Sequence, residues 1–254
     1  MMKKLICCCW LISCSYLLSA NSLYLDLTKK CLLNLIYENK KNLAQIEAGK
    51  IWPSNAHTMI GLVGLDNIQQ CMEDILKNNI PGDAIETGVW RGGACIFMRA
   101  VLKAYNVTDR TVWVADSFEG LPVPNKEKYP LDSDFTAANK ILAQSLNTVK
   151  ENFSRYGLLD NQVQFLKGWF KDTLPQAPIK KLSLLRLDGD YYESTMDALV
   201  HLYPKLSIGG YIIIDDYCAM SVCAKAVDDY RKTHGITDQI EAAGWSIRYW
   251  KKTK

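Results

Sequence analysis

The chain has 254 residues, 48% of them hydrophobic, with 30 basic against 27 acidic side chains and a formal net charge of +3. That length and apolar content fill one α/β domain with a full core and exclude disorder. The near balance of charge excludes a nucleic-acid footprint, and the chain carries no internal repeat or low-complexity stretch.

In chain order, residues 1–21 stand apart. Lys3 and Lys4 precede an apolar stretch from Leu5 to Ala20 that holds Cys7, Cys8, Cys9 and Cys14. The layout is that of a secretory signal peptide, and Leu11-Ile12-Ser13-Cys14 resembles a bacterial lipoprotein cleavage box. Ser13, Ser15 and Ser19 make the stretch a weak membrane-spanning candidate. A start assigned too early and an apolar helix packed on the body are the plainer alternatives. This leader leaves membrane tethering and secretion open, while the body, residues 22–254, is expected to work in the cytoplasm. The remaining cysteines, Cys31, Cys71, Cys95, Cys218 and Cys223, show no CxxC spacing. They indicate neither a zinc site nor a disulfide framework.

Leu23 to Tyr37 has helical spacing, and the polar stretch Glu38 to Lys50 reads as loop or short helix. Ile51-Trp52-Pro53 breaks the chain, Leu65 to Asn78 reads as a helix, and Pro81-Gly82-Asp83 as a turn. Strands and helices then alternate. Strands are expected over Ala84–Thr87, Thr111–Ala115, Val163–Leu166, Leu182–Leu187 and Tyr211–Ile214. Helices are expected over Gly92–Tyr105, Ala137–Tyr156, Glu193–Tyr203 and Met220–Thr233. Ile236–Glu241 and Trp245–Trp250 read as a closing antiparallel pair that turns at Ala243-Gly244. Repeated βα units imply a doubly wound, mostly parallel, Rossmann-like sheet.

Ligands of such sheets bind beyond the C-terminal ends of the strands. The fourth strand stops at Asp188-Gly189-Asp190 and the fifth at Asp215-Asp216. Carboxylates gathered there repel one another unless a cation sits between them, and a hard divalent ion with oxygen ligands is the economical choice. Helix capping is the plainer reading of each cluster alone. Glu86-Thr87-Gly88-Val89-Trp90-Arg91-Gly92-Gly93 lies at the first strand-to-helix turn. Gly88 permits close approach to the backbone, and the helix N-terminus near Gly92 offers N–H groups to an anion. The spacing is not G-x-G-x-x-G, and a tight turn alone is the plainer reading. Asp116 ends the second strand, where a carboxylate can accept from both hydroxyls of a ribose; an N-cap or an Asx turn is the alternative. Gly168-Trp169-Phe170 follows the third strand, where the aromatics fit either an adenine sandwich or core packing.

These segments, with Asp116-Ser117-Phe118-Glu119-Gly120-Leu121-Pro122, Gly168 to Pro175, Leu187-Asp188-Gly189-Asp190 and Asp215-Asp216-Tyr217, together resemble the macrocin O-methyltransferase family. The resemblance covers about Leu23 to Lys252. It implies an enzyme that uses S-adenosylmethionine and magnesium to methylate a sugar hydroxyl, a small-molecule glycoside as partner, and a homo-oligomer. It implies that Glu86, Thr87, Gly88, Gly92 and Gly93 hold the methionine part of the cofactor. Asp116 would bind the ribose with Ser117 beside it, and Gly168, Trp169 and Phe170 would complete the cofactor site. Asp188, Asp215 and Asp216 would hold magnesium, and Asp190 would be the general base. Ala56-His57-Thr58-Met59-Ile60-Gly61 also resembles the family, placing Thr58 and Met59 against the cofactor; His57 alone reads as a structural histidine or as the next candidate base. A phenol or catechol acceptor on the same fold is the leading alternative. A non-catalytic sheet protein with acidic caps is the third, and the presence of all four aspartates argues against it. Asn125 to Asn139 is expected to cover the acceptor.

Overall fold

Apolar runs of four to six residues, each bounded by turn signals, bury both faces of a parallel sheet in the computed structural model, which describes residues 21–37 and 41–254. The leader-like stretch through Ala20 and the start of the polar stretch at residues 38–40 lie outside the described residues. Residues 21–32 are helical (α1). There follow α2 (Leu43–Glu47), α3 (Gly61–Lys77), β1 (Asp83–Thr87), α4 (Gly93–Ala104), β2 (Val112–Asp116), α5 (Asn139–Leu142) and α6 (Leu146–Arg155). Then come β3 (Val163–Lys167), α7 (Phe170–Thr173), β4 (Leu182–Leu187), α8 (Tyr192–Leu202), β5 (Leu206–Ile214), α9 (Ser221–Thr233), β6 (Glu241–Ala243) and β7 (Ile247–Lys251).

The strands form one seven-stranded sheet in the order β3-β2-β1-β4-β5-β7-β6. β1 to β5 run parallel, and β7 and β6 close the edge antiparallel. Chain order reverses between β1 and β4, which makes their C-terminal ends the switch point where a ligand crevice opens. Alternation along β4 sends Leu184 into one core with α3 and α4, and Leu185 into the other with α8 and α9. The doubly wound reading and the antiparallel close are therefore observed. Among the described residues, no helix is long and apolar enough to cross a membrane.

α3 starts at Gly61, earlier than the expected Leu65, and four further elements differ more from the sequence reading. The first helix stops at residue 32, and Asn34 takes a left-handed φ of 54° in the turn that follows. The helix expected over Ala137–Tyr156 is broken: Ala143 is extended (ψ 114°), and Ser145 starts α6 afresh by accepting the Thr148 N–H at 3.1 Å. Asn139 holds the preceding turn elsewhere, since its side chain accepts from Leu121 N (2.7 Å) and donates to Leu121 O (2.9 Å). β5 starts at Leu206 rather than Tyr211 because Leu206 pairs with Leu182 across a register shift. The strand expected at Ile236–Glu241 forms only at Glu241–Ala243, with the turn at residues 244–246.

Candidate active site

A cavity of about 490 Å³ opens at the C-terminal ends of β1, β2, β4 and β5. The tight turn after β1 makes its floor. Gly88 has a φ of 84°, and a Cβ there would sit 1.7 Å from the Asp188 carbonyl oxygen. The glycine is thus required first by the approach of the β4 backbone, with the cavity on its other side. Asp116 reaches back across this turn. Its carboxylate accepts from Val89 N at 2.7 Å and from Phe118 N at 2.6 Å, which fixes both oxygens. The Asx-turn reading of Asp116 is therefore correct, and the same residue lines the cavity. Burial, the largest influence, pushes its carboxyl up, and these N–H donors pull it back.

Thr58, Met59, Glu86, Gly88, Asp116, Ser117, Gly168, Trp169 and Phe170 all line this cavity, as do Asp188, Asp190, Asp215 and Asp216. Thr87, Gly92 and Gly93 do not. The Thr87 carbonyl accepts the Asp188 N–H at 2.9 Å, so the residue stitches β1 to β4. The N–H groups of Gly92 and Gly93 are taken by the carbonyls of Val89 (2.7 Å) and His57 (2.9 Å), so they are not the open donors that the sequence suggests. A Cβ on Gly93 would lie 2.3 Å from the His57 oxygen, which explains the glycine by packing. The His57 ring is off the cavity as well, with Nδ1 2.8 Å from the Tyr156 hydroxyl. Burial is the main reason its pKa is lowered.

Behind the acidic end of the cavity lies a buried cation that the sequence reading overlooked. Arg186 is wholly buried, two residues before Asp188 and on the same face of β4. Its guanidinium donates to Glu86 on β1, to Asp188 at 2.8 Å, and to Asp215 beyond β5. Glu86 is itself its register partner across the β1–β4 ladder and accepts the Cys95 thiol at 2.9 Å. A signal was available: an arginine inside an apolar run must find carboxylates or leave a buried charge unpaired.

One guanidinium does not saturate this set. Glu86, Asp188, Asp190, Asp215 and Asp216 all crowd around it or each other. Burial pushes Glu86 up to about 7 against the pull of Arg186. It does the same to Asp215, up to about 7. Burial, with Asp190 and Asp188 next in weight, holds Asp216 well above the usual carboxylate range. Asp188, Asp215 and Asp216 each present an oxygen within 4.8 Å of the others. An all-carboxylate donor set with excess negative charge, open to a cavity, fits a hard divalent cation. Asp190 stands beside it in a left-handed conformation (φ 58°), its N–H 3.3 Å from Asp216 Oδ2. Burial first and Asp188 second push its carboxyl up to about 7.

Residues 40–252 match the sequence family described as macrocin-O-methyltransferase (TylF). The chain belongs to this family. A demethyldecarbamoylnovobiocin O-methyltransferase of Streptomyces niveus is 50% identical over 250 residues, covering 93% of this chain and 95% of that protein. The 8-demethyl-8-(2,3-dimethoxy-α-L-rhamnosyl)-tetracenomycin-C 4'-O-methyltransferase of Streptomyces olivaceus is 51% identical over 246 residues, covering 92% and 94%. The solved structure of the O-methyltransferase NovP superposes with a TM-score of 0.90 at 51% identity, over 92% of this chain and all of that one. The family resemblance read from the motifs is thereby confirmed. This macrocin-O-methyltransferase family member is an O-methyltransferase with the Rossmann-like S-adenosylmethionine-dependent fold.

Proposed function

We propose that this enzyme moves the methyl group of S-adenosylmethionine to a sugar hydroxyl of a glycoside, with Asp190 as general base and magnesium held by Asp188, Asp215 and Asp216. The observation that carries this reading is the opening of all four aspartates into the cavity that Gly88 and Asp116 line. A sugar acceptor is supported by the rhamnosyl oxygen named for the tetracenomycin enzyme. Residues 22–254 form the catalytic domain in this reading, without need of the leader.

The chain's own side chains do the following. Asp116, its oxygens pinned by Val89 and Phe118 N–H groups, keeps lone pairs in fixed directions for the two hydroxyls of a ribose. Glu86, Gly88, Thr58 and Met59 surround the methionine portion, and Gly168, Trp169 and Phe170 the adenine. Asp188, Asp215 and Asp216 would hold magnesium, which when bound would supply Lewis acidity to lower the pKa of an acceptor hydroxyl. Asp190 accepts the hydroxyl proton as the oxygen takes the methyl group from sulfur. Alignment of oxygen, carbon and sulfur is the larger part of the task, and orientation of this kind can contribute about 7–11 kcal/mol.

The test is a methyl-transfer assay followed by mass spectrometry. Demethyldecarbamoylnovobiocin and the rhamnosyl tetracenomycin substrate are offered beside dihydroxybenzoate and caffeate, with magnesium or with chelator. The expected product carries one new methyl on a sugar oxygen and disappears with chelator. Methylation of the catechols with both glycosides untouched would replace the sugar acceptor by a phenol.

A further inference from the structure

Residues 117–138 join β2 to α5 and are for the most part open to solvent; Val123 is 77% exposed. In their midst Asp132 is wholly buried. Its Oδ1 accepts the Tyr192 N–H at 2.6 Å, and its Oδ2 accepts the Glu193 N–H at 3.0 Å. These are the first two N–H groups of α8, a helix whose own N-cap residue, Tyr191, supplies no side-chain cap. A carboxylate from a segment sixty positions away thus does the capping, and it suits the positive end of the helix dipole. Three residues on, the Phe135 N–H donates to the Tyr191 hydroxyl at 2.9 Å, and the two rings stack with centroids 6.1 Å apart. Tyr191 is itself completely buried.

The position of this latch gives it meaning. Tyr191 directly follows Asp190, which holds a left-handed φ of 58° at the cavity wall. The near end of the same segment, Pro122, Val123 and Asn125, lines the same cavity. The two places therefore share one fastening. We infer that Asp132 and Tyr191 are positioning residues: together they fix the acceptor wall and the backbone of Asp190 relative to each other, without touching the cofactor site. This inference rests on the proposed role of Asp190.

Asp132→Asn is the informative variant, because it keeps the size and changes the acceptor count. A carboxylate offers an oxygen to each N–H; a carboxamide has one oxygen and would set its NH₂ against the second donor. The acceptor kcat/KM is expected to fall about ten- to hundredfold, the loss usual for a hydrogen bond to a charged group. Trypsin cleavage after Lys126 and Lys128 should accelerate by a similar factor, since cleavage follows the population of the released segment. Calorimetric affinity for S-adenosylhomocysteine should stay within about twofold of wild type, because nothing in the latch reaches Asp116 or Gly88. Tyr191→Phe removes only the hydroxyl and should shift cleavage and kcat/KM in the same direction by less. Unchanged cleavage and kinetics in Asp132→Asn would overturn the inference, and so would a parallel loss of homocysteine-analogue binding. If Asp132→Asn does not fold, Tyr191→Phe decides: wild-type cleavage there ends the idea. If wild type methylates neither glycoside, the sugar reading falls while cleavage and S-adenosylhomocysteine binding still decide the latch.

Discussion

The two walls of the cavity are held by different means. The strand-end wall, from Glu86 to Gly88 and from Arg186 to Asp190, is fastened by the β1–β4 ladder and by a buried guanidinium shared among Glu86, Asp188 and Asp215. It has no slack: Gly88 has not even the room for a methyl group beside the Asp188 carbonyl. The wall made by residues 117–138 is largely exposed and hangs on the side chains of Asp132, Asn139 and Tyr191. Backbone ladders leave little freedom to the residues they fix, whereas a segment held at a few points can change sequence between those points. In the proposed function the first wall would hold the reacting groups in register, and the exposed part of the second would face the acceptor.

The contrast can be broken or sharpened by substitution. The largest effect is expected at Asp190 on the strand-end side. Asp190→Asn keeps the left-handed backbone, which Asn tolerates, and should lower kcat by about 10²–10⁴-fold with unchanged S-adenosylhomocysteine affinity. Full activity in this variant would remove the base from Asp190. Next comes Arg186→Leu. Breaking one side of a buried ion pair costs about 3–5 kcal/mol, so the urea midpoint should fall steeply. A midpoint near that of wild type would mean the carboxylates do not need the guanidinium. Third, Asp188→Asn removes one charge from the set within 4.8 Å. Magnesium affinity, read by titration calorimetry, should weaken, and excess metal should partly restore activity; identical titrations would take Asp188 out of the metal site. The smallest effect on stability is expected on the other wall. Val123→Ala, at a position 77% exposed, should shift unfolding by less than about 0.5 kcal/mol while altering the acceptor KM. A large loss of stability there would erase the distinction between the walls.

The strand-end wall was also the legible one. Apolar runs that stop at Asp188 and at Asp215 announce parallel strands with acids at their C-terminal ends, and the parallel sheet brings those ends together. The turn at Gly88 is visible for the same local reason, although the close approach of the Asp188 backbone that requires the glycine is not. A helix start near Gly92, with N–H groups for an anion, is recognisable in sequence; that the His57 carbonyl takes the Gly93 N–H is not. The broken helix at Ala143 was missed because the side chain of Asn139 is engaged by Leu121, eighteen positions away. Nothing in the neighbouring sequence sets Asp132 apart, because the N–H groups it caps lie sixty positions on.

The sequence by itself determined the alternation of strands and helices, the acids that end β4 and β5, and the family. These follow from side-chain period and local turn chemistry, which act over a few residues. Tertiary structure alone decided that Arg186 would meet Glu86 a hundred positions away, and that Asp132 would cap a helix sixty positions on. Both are pairings of buried polar groups. Burial obliges each group to find a partner, but which partner depends on where the folded chain returns, and no local pattern records that.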